Sequence, residues 1–289
     1  MRGEVRNPVL QWLIYGHVWV ALAVAAQILW TTMFLHEGAL AQRYALAAFL
    51  GSFTAYGVMR LARIKGPEGE EYANLIWYRS NKMVMNVLVG LCGIAAFLLL
   101  WPLWSKIWQM MVPAVVLTFF YVTPFTSSKG IGIGLRMVPF LKALLIAGLW
   151  AIVTVAIPLH LDPVGFTGFT VIALTCMRVP LILSLAILFD VRDQASDDPA
   201  LRTVPIVFGT RAAKGIALFF LLCSAAFEVI FLRGLGYMTA SWVILIGYTF
   251  GVVLTVRAKP ERDAFYYAIL VDGVMIAVPL CAWAGVMLG

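Results

Sequence analysis

A short acidic stretch carries the side chains of this sequence that are best suited to chemistry. Asp190, Asp193 and Asp197 are spaced i, i+3 and i+7, so on a helix their carboxylates lie on one face. Carboxylates stacked at this spacing repel one another unless a cation lies between them. Hard divalent cations prefer oxygen ligands, and Mg²⁺ is usually bound together with substrate phosphates. The spacing therefore favours a Mg²⁺ and phosphate site, and the alternative is a solvated acidic helix end flanked by Arg192 and Arg202.

The composition places this stretch in a membrane. The 289 residues are 63% hydrophobic and 12% charged, whereas ordinary globular chains carry roughly a quarter charged residues. Apolar runs of about 20 residues, long enough to cross a bilayer as helices, recur from end to end. These runs are continuous rather than alternating, which disfavours a transmembrane β-barrel. The sequence predicts an all-α polytopic membrane protein with residues 1–289 in one transmembrane domain.

Nine apolar runs are candidate membrane spans. They lie at residues 8–35, 41–60, 83–104, 107–123, 137–158, 167–189, 213–232, 236–256 and 264–288. Seventeen of the Lys and Arg residues fall at the N-terminus and at the even-numbered loops, against three on the other side. By the positive-inside rule the basic side is cytoplasmic and the C-terminus lies outside, and we expect a bacterial inner membrane.

The basic side also holds the three long loops, residues 61–82, 124–136 and 190–212, which are expected to cap the site. Acids, hydroxyls and bases collected on one face of a membrane bundle suit a phosphorylated substrate with a lipid tail. Its head group would bind at the charged rim while the tail lies between helices, among membrane lipids. The net charge of +7 is thus a topology signal, and no nucleic-acid partner is expected.

The acidic stretch and the residues that follow it resemble a known motif. Asp190-Val191-Arg192-Asp193, then Asp197, then Arg202-Thr203-Val204-Pro205-Ile206-Val207-Phe208-Gly209 is similar to the second aspartate motif of the UbiA superfamily of intramembrane prenyltransferases. The family pattern is DxxDxxxD, followed by a basic residue, Thr, an aliphatic residue, Pro and a later Gly. A Tyr-x-x-Pro segment with a downstream lysine, here from Tyr121 to Lys129, is also similar. The resemblance implies nine helices in a bundle around a central cavity.

The resemblance further implies transfer of a prenyl group from an isoprenoid diphosphate to a lipophilic, typically aromatic acceptor. In the family, Mg²⁺ ions bridge the diphosphate to two aspartate clusters, and departure of the leaving group creates an allylic carbocation. Carried over to this chain, Asp190, Asp193 and Asp197 would be the metal ligands and catalytic residues. Tyr121 and Trp150 are candidates for contact with the prenyl group or the acceptor, because aromatic faces can stabilise a nearby cation.

The first aspartate motif of the family, NDxxDxxxD, is absent. Its Asn-Asp positions hold Gly57 and Val58, and its later Asp positions hold Leu61 and Lys65. One hypothesis is a transferase with a single aspartate cluster, in which basic side chains contact the diphosphate in place of the lost metal. The candidates for that contact are Arg60, Arg63, Lys65, Lys129 and Arg202. The other hypothesis is a catalytically inactive UbiA-fold protein that binds an isoprenoid lipid or a membrane partner.

Other polar residues fall inside the predicted spans. Asp272 is a functional candidate because ionisable groups are costly in a bilayer, and the alternative is a hydrogen bond or ion pair that locks helix packing, with Arg178 as one possible partner. Glu228 is expected to reach the membrane interface from the outer end of its span. His17 and Gln27 share one face of the first span, where they could line a cavity or bond a neighbouring helix.

Overall fold

The chain folds almost entirely into helices. The computed structural model describes residues 5, 7–33, 38–64, 73–122, 125–126, 132–133, 141–161, 167–194 and 202–289, with the backbone alone at 38–39, 41, 117–122, 125–126 and 132–133. The α-helices within these residues are α1 (Pro8–Ile14), α2 (Val18–Thr32), α3 (Gly38–Arg63), α4 (Ala73–Ser80), α5 (Lys82–Leu100), α6 (Trp104–Val122), α7 (Leu141–Ala151), α8 (Ile157–Leu161), α9 (Gly168–Asp193), α10 (Val204–Gly234), α11 (Met238–Arg257) and α12 (Asp272–Leu288).

Shorter elements join some of these helices. A 3-10 helix, Trp101–Leu103, links α5 to α6, and π-helices occupy Ile152–Ala156 after α7 and Tyr266–Val271 before α12. Strands β1 (Phe125–Thr126) and β2 (Gly132–Ile133) form one antiparallel pair, with Phe125 opposite Ile133. The rest of the described chain is helix and connection, so the predicted all-α class is confirmed.

The described helices are those of a membrane protein. Seven helical segments are long and apolar enough to cross a bilayer, and α1 with α2, bent by 56°, can form an eighth. The predicted span 83–104 and the first ten residues of the predicted span 107–123 lie in one continuous run, Lys82–Val116. Its 35 residues would reach about 50 Å as a straight helix, beyond the roughly 30 Å of hydrocarbon. The count of nine spans therefore remains a prediction.

The helices pack in a ring. α2 packs on α12, followed in order by α11, α10, α9 and α7, and the π-helix after α7 returns to α2. The largest cluster of buried apolar side chains lies along this ring, α3 packs on α2, and α5 packs on α3. α11 and α12 approach each other closely at Gly285, since a Cβ there would overlap the Ala240 backbone. Such close approach is typical of small residues between membrane helices.

The ring brings several helix ends to one level. The Arg178 guanidinium on α9 donates hydrogen bonds to the Gln27 carbonyl and the Thr31 hydroxyl on α2. Twelve residues further along α9 is Asp190, and ten residues back along α2 from Gln27 is His17. At about 1.5 Å per residue, Asp190 and His17 lie at similar distances from this shared contact. Both residues also line one cavity, so the end of α9 and the start of α2 share one end of the bundle.

Candidate functional site

A cavity of about 440 Å³ opens between α2, α3, α7, α9 and α12, with α1 and α4 at its edge. Its ionisable lining residues are His17, Arg60, Lys142, Asp190, Arg192, Asp193 and Asp272. Its larger apolar and aromatic lining residues include Trp19, Val20, Ile146, Trp150, Ile182 and Met275. The predicted central cavity is therefore present, and it is lined by charged and apolar side chains together.

The two kinds of lining lie at different depths. Lys142 is the second residue of α7 and Asp190 lies near the end of α9, and the two side chains are in contact. Trp150 on α7 and Ile182 on α9 are each eight residues further from that contact, about 12 Å along the helices. The cavity therefore has a charged end at Lys142 and Asp190 and an apolar region deeper in the bundle.

Asp190 is held by a lysine from a neighbouring helix. The Lys142 ammonium donates to Asp190 Oδ1 at 2.5 Å, and the two side chains are 15% and 4% exposed. A buried carboxylate needs a charged or hydrogen-bonding partner, since its desolvation is costly. The first carboxylate of the predicted ladder is therefore neutralised by the chain itself. Lys142 is not among the site residues predicted from the sequence.

Asp193 is held by its neighbour in sequence. The Arg192 guanidinium donates from Nε to Asp193 Oδ1 at 2.7 Å and from Nη2 to Oδ2 at 3.0 Å. The same guanidinium lies over the Phe189 ring, 4.7 Å from its centroid, and 5.8 Å from that of Tyr267. Fork geometry and aromatic stacking are what distinguish arginine from lysine as an anion ligand. Arg192 is thus fixed at the cavity wall.

The facing wall carries a basic residue in place of the missing aspartate motif. Arg60 lines the cavity and donates from Nε to His17 Nε2 at 3.2 Å, and the His17 ring stacks on Tyr56. Gly57 packs against Val89, and Val58 is 54% exposed. His17 is placed by a left-handed backbone, φ 58°, where α1 breaks from α2.

A buried tyrosine lies behind this wall. Tyr78 on α4 is fully buried, and its ring centroid is 6.1 Å from that of His17. Burial raises the pKa of Tyr78 to about 12, against the opposing effect of Arg60. The hydroxyl of Tyr78 therefore stays protonated and uncharged at neutral pH.

The described donors fit a Mg²⁺ ion poorly. Mg²⁺ demands octahedral oxygen ligands, but Asp190 and Asp193 are each committed to a basic side chain. On the facing wall, Arg60 offers only donors. No group of three or more His, Cys, Asp or Glu side chains that could hold a metal occurs among the described residues. The third predicted ligand, Asp197, lies outside them.

Asp272 differs from the other two carboxylates of the cavity. It follows the π-helix Tyr266–Val271 and is partly buried. In the described part of the chain its carboxylate makes no hydrogen bond and no ion pair, although the charge of Arg192 lies near enough to attract it. The predicted ion pair with Arg178 is wrong, because Arg178 is directed to Gln27 and Thr31 on α2.

The remaining predicted residues have different places. Trp150 and Arg60 line the cavity, whereas Arg63 and Arg202 are exposed and outside its lining. Tyr121 lies near the end of α6, within residues 117–122, for which only the backbone is described. Lys65 and Lys129 lie outside the described residues.

Glu228 does not reach the membrane interface as predicted. It is 3% exposed and accepts hydrogen bonds from Trp30 Nε1 at 2.5 Å and from the Tyr248 hydroxyl. Gln27 donates to the Met275 carbonyl at 2.6 Å, so it bonds a neighbouring helix rather than lining the cavity. These residues and Arg178 form buried polar contacts that join α2 to α9, α10, α11 and α12.

Comparison with known proteins identifies one similar fold. No protein-family model matches the sequence, and a search of the curated proteins gives no match. A solved structure of a digeranylgeranylglyceryl phosphate synthase in membranes is similar with a TM-score of 0.53 at 14% identity, covering 97% of this chain and 99% of that one. At this identity the likeness shows the fold, and the motif resemblance remains a prediction.

Proposed function

We propose that this protein transfers a prenyl group from an isoprenoid diphosphate to a lipophilic, typically aromatic acceptor within the membrane. One observation carries the proposal: the cavity combines a charged end with an apolar region about 12 Å deeper, at Trp150 and Ile182. A substrate with an anionic head and a long apolar tail matches that division. The fold likeness to a membrane lipid synthase supports a transferase.

In this proposal the basic side chains bind the leaving group. Transfer breaks the bond between C1 of the prenyl group and the diphosphate oxygen, and the electron pair leaves with the diphosphate. Arg60, Lys142 and Arg192 would donate hydrogen bonds to its oxygens and stabilise the charge that develops there. Trp150 would face the carbocation that remains. A carbon or oxygen of the acceptor then bonds to C1 and releases a proton.

The aspartates have a different role here from the one the sequence predicted. Because Asp190 and Asp193 hold Lys142 and Arg192, we propose that they fix these cations at the cavity wall. Since the described donors fit Mg²⁺ poorly, no step of this proposal depends on the metal. Arg63, Lys65, Lys129 and Arg202 remain proposed sources of further positive charge, from segments that we propose cap the cavity.

The alternative function is binding without chemistry. Three cations of the described lining, Arg60, Lys142 and Arg192, are matched in number by three carboxylates. A cavity with so little net charge also suits a neutral isoprenoid lipid. The absence of the first aspartate motif agrees with this alternative, because it removes half of the family's metal ligands.

The two functions are separated by measuring binding and product together. Purified protein in lipid nanodiscs is incubated with labelled ten-, fifteen- and twenty-carbon allylic diphosphates and a set of phenolic acceptors, with Mg²⁺ or with a chelator. A transferase binds a diphosphate and forms a prenylated product, whereas a lipid-binding protein binds without product. Lys142→Gln should weaken diphosphate binding by roughly 10-fold or more, while the exposed Lys106→Gln should not. The absence of both binding and product would refute both functions.

A further inference from the structure

We propose that Asp272 is the catalytic base that takes the proton from the acceptor during prenyl transfer. This inference rests on the proposed function and adds a residue to it. Prenylation of a phenol or an aromatic ring releases one proton, and a positioned carboxylate is suited to accept it. Among the described carboxylates of the cavity, Asp272 is the one that no basic side chain holds by an ion pair.

The backbone places Asp272 at the cavity wall. The π-helix Tyr266–Val271 precedes it, and one extra residue in a helical turn rotates the following side chains by about 100°. π-helical turns of this kind are frequent at functional sites. Trp19 of α2 fixes the segment, because its indole N–H donates to the Ile269 carbonyl at 3.0 Å. Gly273 lies against the same indole ring, so the backbone on both sides of Asp272 is anchored.

The depth of Asp272 matches the position of an acceptor. It lies three residues beyond Ile269, the contact of Trp19, and therefore about 5 Å further from the charged end. A diphosphate at Lys142 and Arg192 would direct C1 of its prenyl group inward from that end. An acceptor that attacks C1 would then lie at the level of Asp272, with Met275 and Trp150 among the apolar side chains around it.

The free-energy cost of placing the Asp272 carboxylate in a membrane span supports a role in chemistry. An ionisable group within a membrane span is expensive and is usually retained for function. Arg192 is near enough to attract Asp272 but makes its hydrogen bonds to Asp193. The Asp272 oxygens are therefore not committed to a partner in the described part of the chain.

The electron pair of the breaking C1–O bond leaves with the diphosphate, and the acceptor supplies the pair for its new bond to C1. The acceptor proton moves to a carboxylate oxygen of Asp272, which becomes a neutral carboxylic acid. The acid returns the proton to water at the charged end before the next turnover. The step needs no oxidant, reductant or further reactant.

The test compares transfer with binding in Asp272→Asn, with the exposed Glu261→Gln as the matched control. The probes are a tritiated twenty-carbon allylic diphosphate and nonylphenol as acceptor. We expect Asp272→Asn to bind the diphosphate within about threefold of wild type and to transfer the prenyl group at least roughly 100-fold more slowly, which is the usual contribution of a general base. Asp272→Glu should recover part of the rate. Equal transfer by Asp272→Asn, or parallel loss of binding and transfer, would overturn the proposal.

A second measurement uses the unmutated chain, in case the variant does not fold. Dicyclohexylcarbodiimide, which modifies carboxyl groups in apolar surroundings, should label Asp272 and abolish transfer while diphosphate binding persists. Full activity after complete labelling of Asp272 would also overturn the proposal. If the wild type neither binds the diphosphate nor forms product, the proposed function itself fails, and this result is distinct from an active Asp272→Asn.

Discussion

Removal of either partner of the Lys142–Asp190 pair should destabilise the protein more than removal of both. The two side chains are 15% and 4% exposed and 2.5 Å apart. Breaking a buried pair leaves one uncompensated charge and costs about 3–5 kcal/mol, whereas replacing both partners by uncharged groups is often nearly neutral. Lys142→Met and Asp190→Asn should therefore each lower the free energy of unfolding by about 3 kcal/mol, and the double variant by about 1 kcal/mol.

The assay is equilibrium unfolding in mixed detergent micelles across the double-mutant cycle. These single and double effects imply a coupling of about 5 kcal/mol between the two positions, which is above the roughly 0.5–3 kcal/mol that is usual for contacting residues. Lys106→Met, on the exposed surface of α6, controls for the loss of a lysine and should change stability by less than about 0.5 kcal/mol. If the stability losses of the two single variants simply add in the double variant, the proposed Lys142–Asp190 pairing is refuted. Stabilisation of the wild type by Mg²⁺, lost in Asp190→Asn, would instead indicate a metal ligand.

Two further predictions concern the cavity and the helix packing. Ile146→Trp should fill the apolar region of the cavity. It should weaken binding of a twenty-carbon diphosphate by roughly tenfold or more and that of a ten-carbon diphosphate by less. The control Leu144→Trp, at an exposed position of α7, should change neither affinity. Gly285→Ala should cost about 1–3 kcal/mol in unfolding because its Cβ overlaps the Ala240 backbone, whereas Gly90→Ala, with open space around it, should be neutral or stabilising by up to about 1 kcal/mol. A Gly285→Ala protein with the free energy of unfolding of the wild type would contradict this packing.

The fold class was readable from the sequence because apolar runs of membrane length have few other physical solutions. The helical placement of Asp190 and Asp193 also followed from their spacing, and α9 extends through both. The partners of these residues could not be predicted from the sequence. Lys142 is 48 positions from Asp190, and a pair across two helices leaves no local pattern.

The errors have identifiable causes. Glu228 was expected at the interface because its predicted span ended nearby. α10 continues to Gly234, and Trp30 and Tyr248 reach the carboxylate from other helices. Neither π-helix was foreseen, since an extra residue in one turn leaves the apolar pattern almost unchanged. The rotation of Asp272 toward the cavity could therefore not be read from hydropathy.

Chemistry in the cavity can be followed with a diphosphate that carries one isotope in its prenyl group and another in its phosphorus. Protein in nanodiscs is given this substrate and a phenolic acceptor, and both labels are traced after extraction. We expect the prenyl label to move into a lipophilic product while an equal amount of labelled diphosphate is released. We expect Ile146→Trp to reduce both amounts together. If both labels stay in unchanged substrate with every acceptor, the cavity does not perform prenyl transfer.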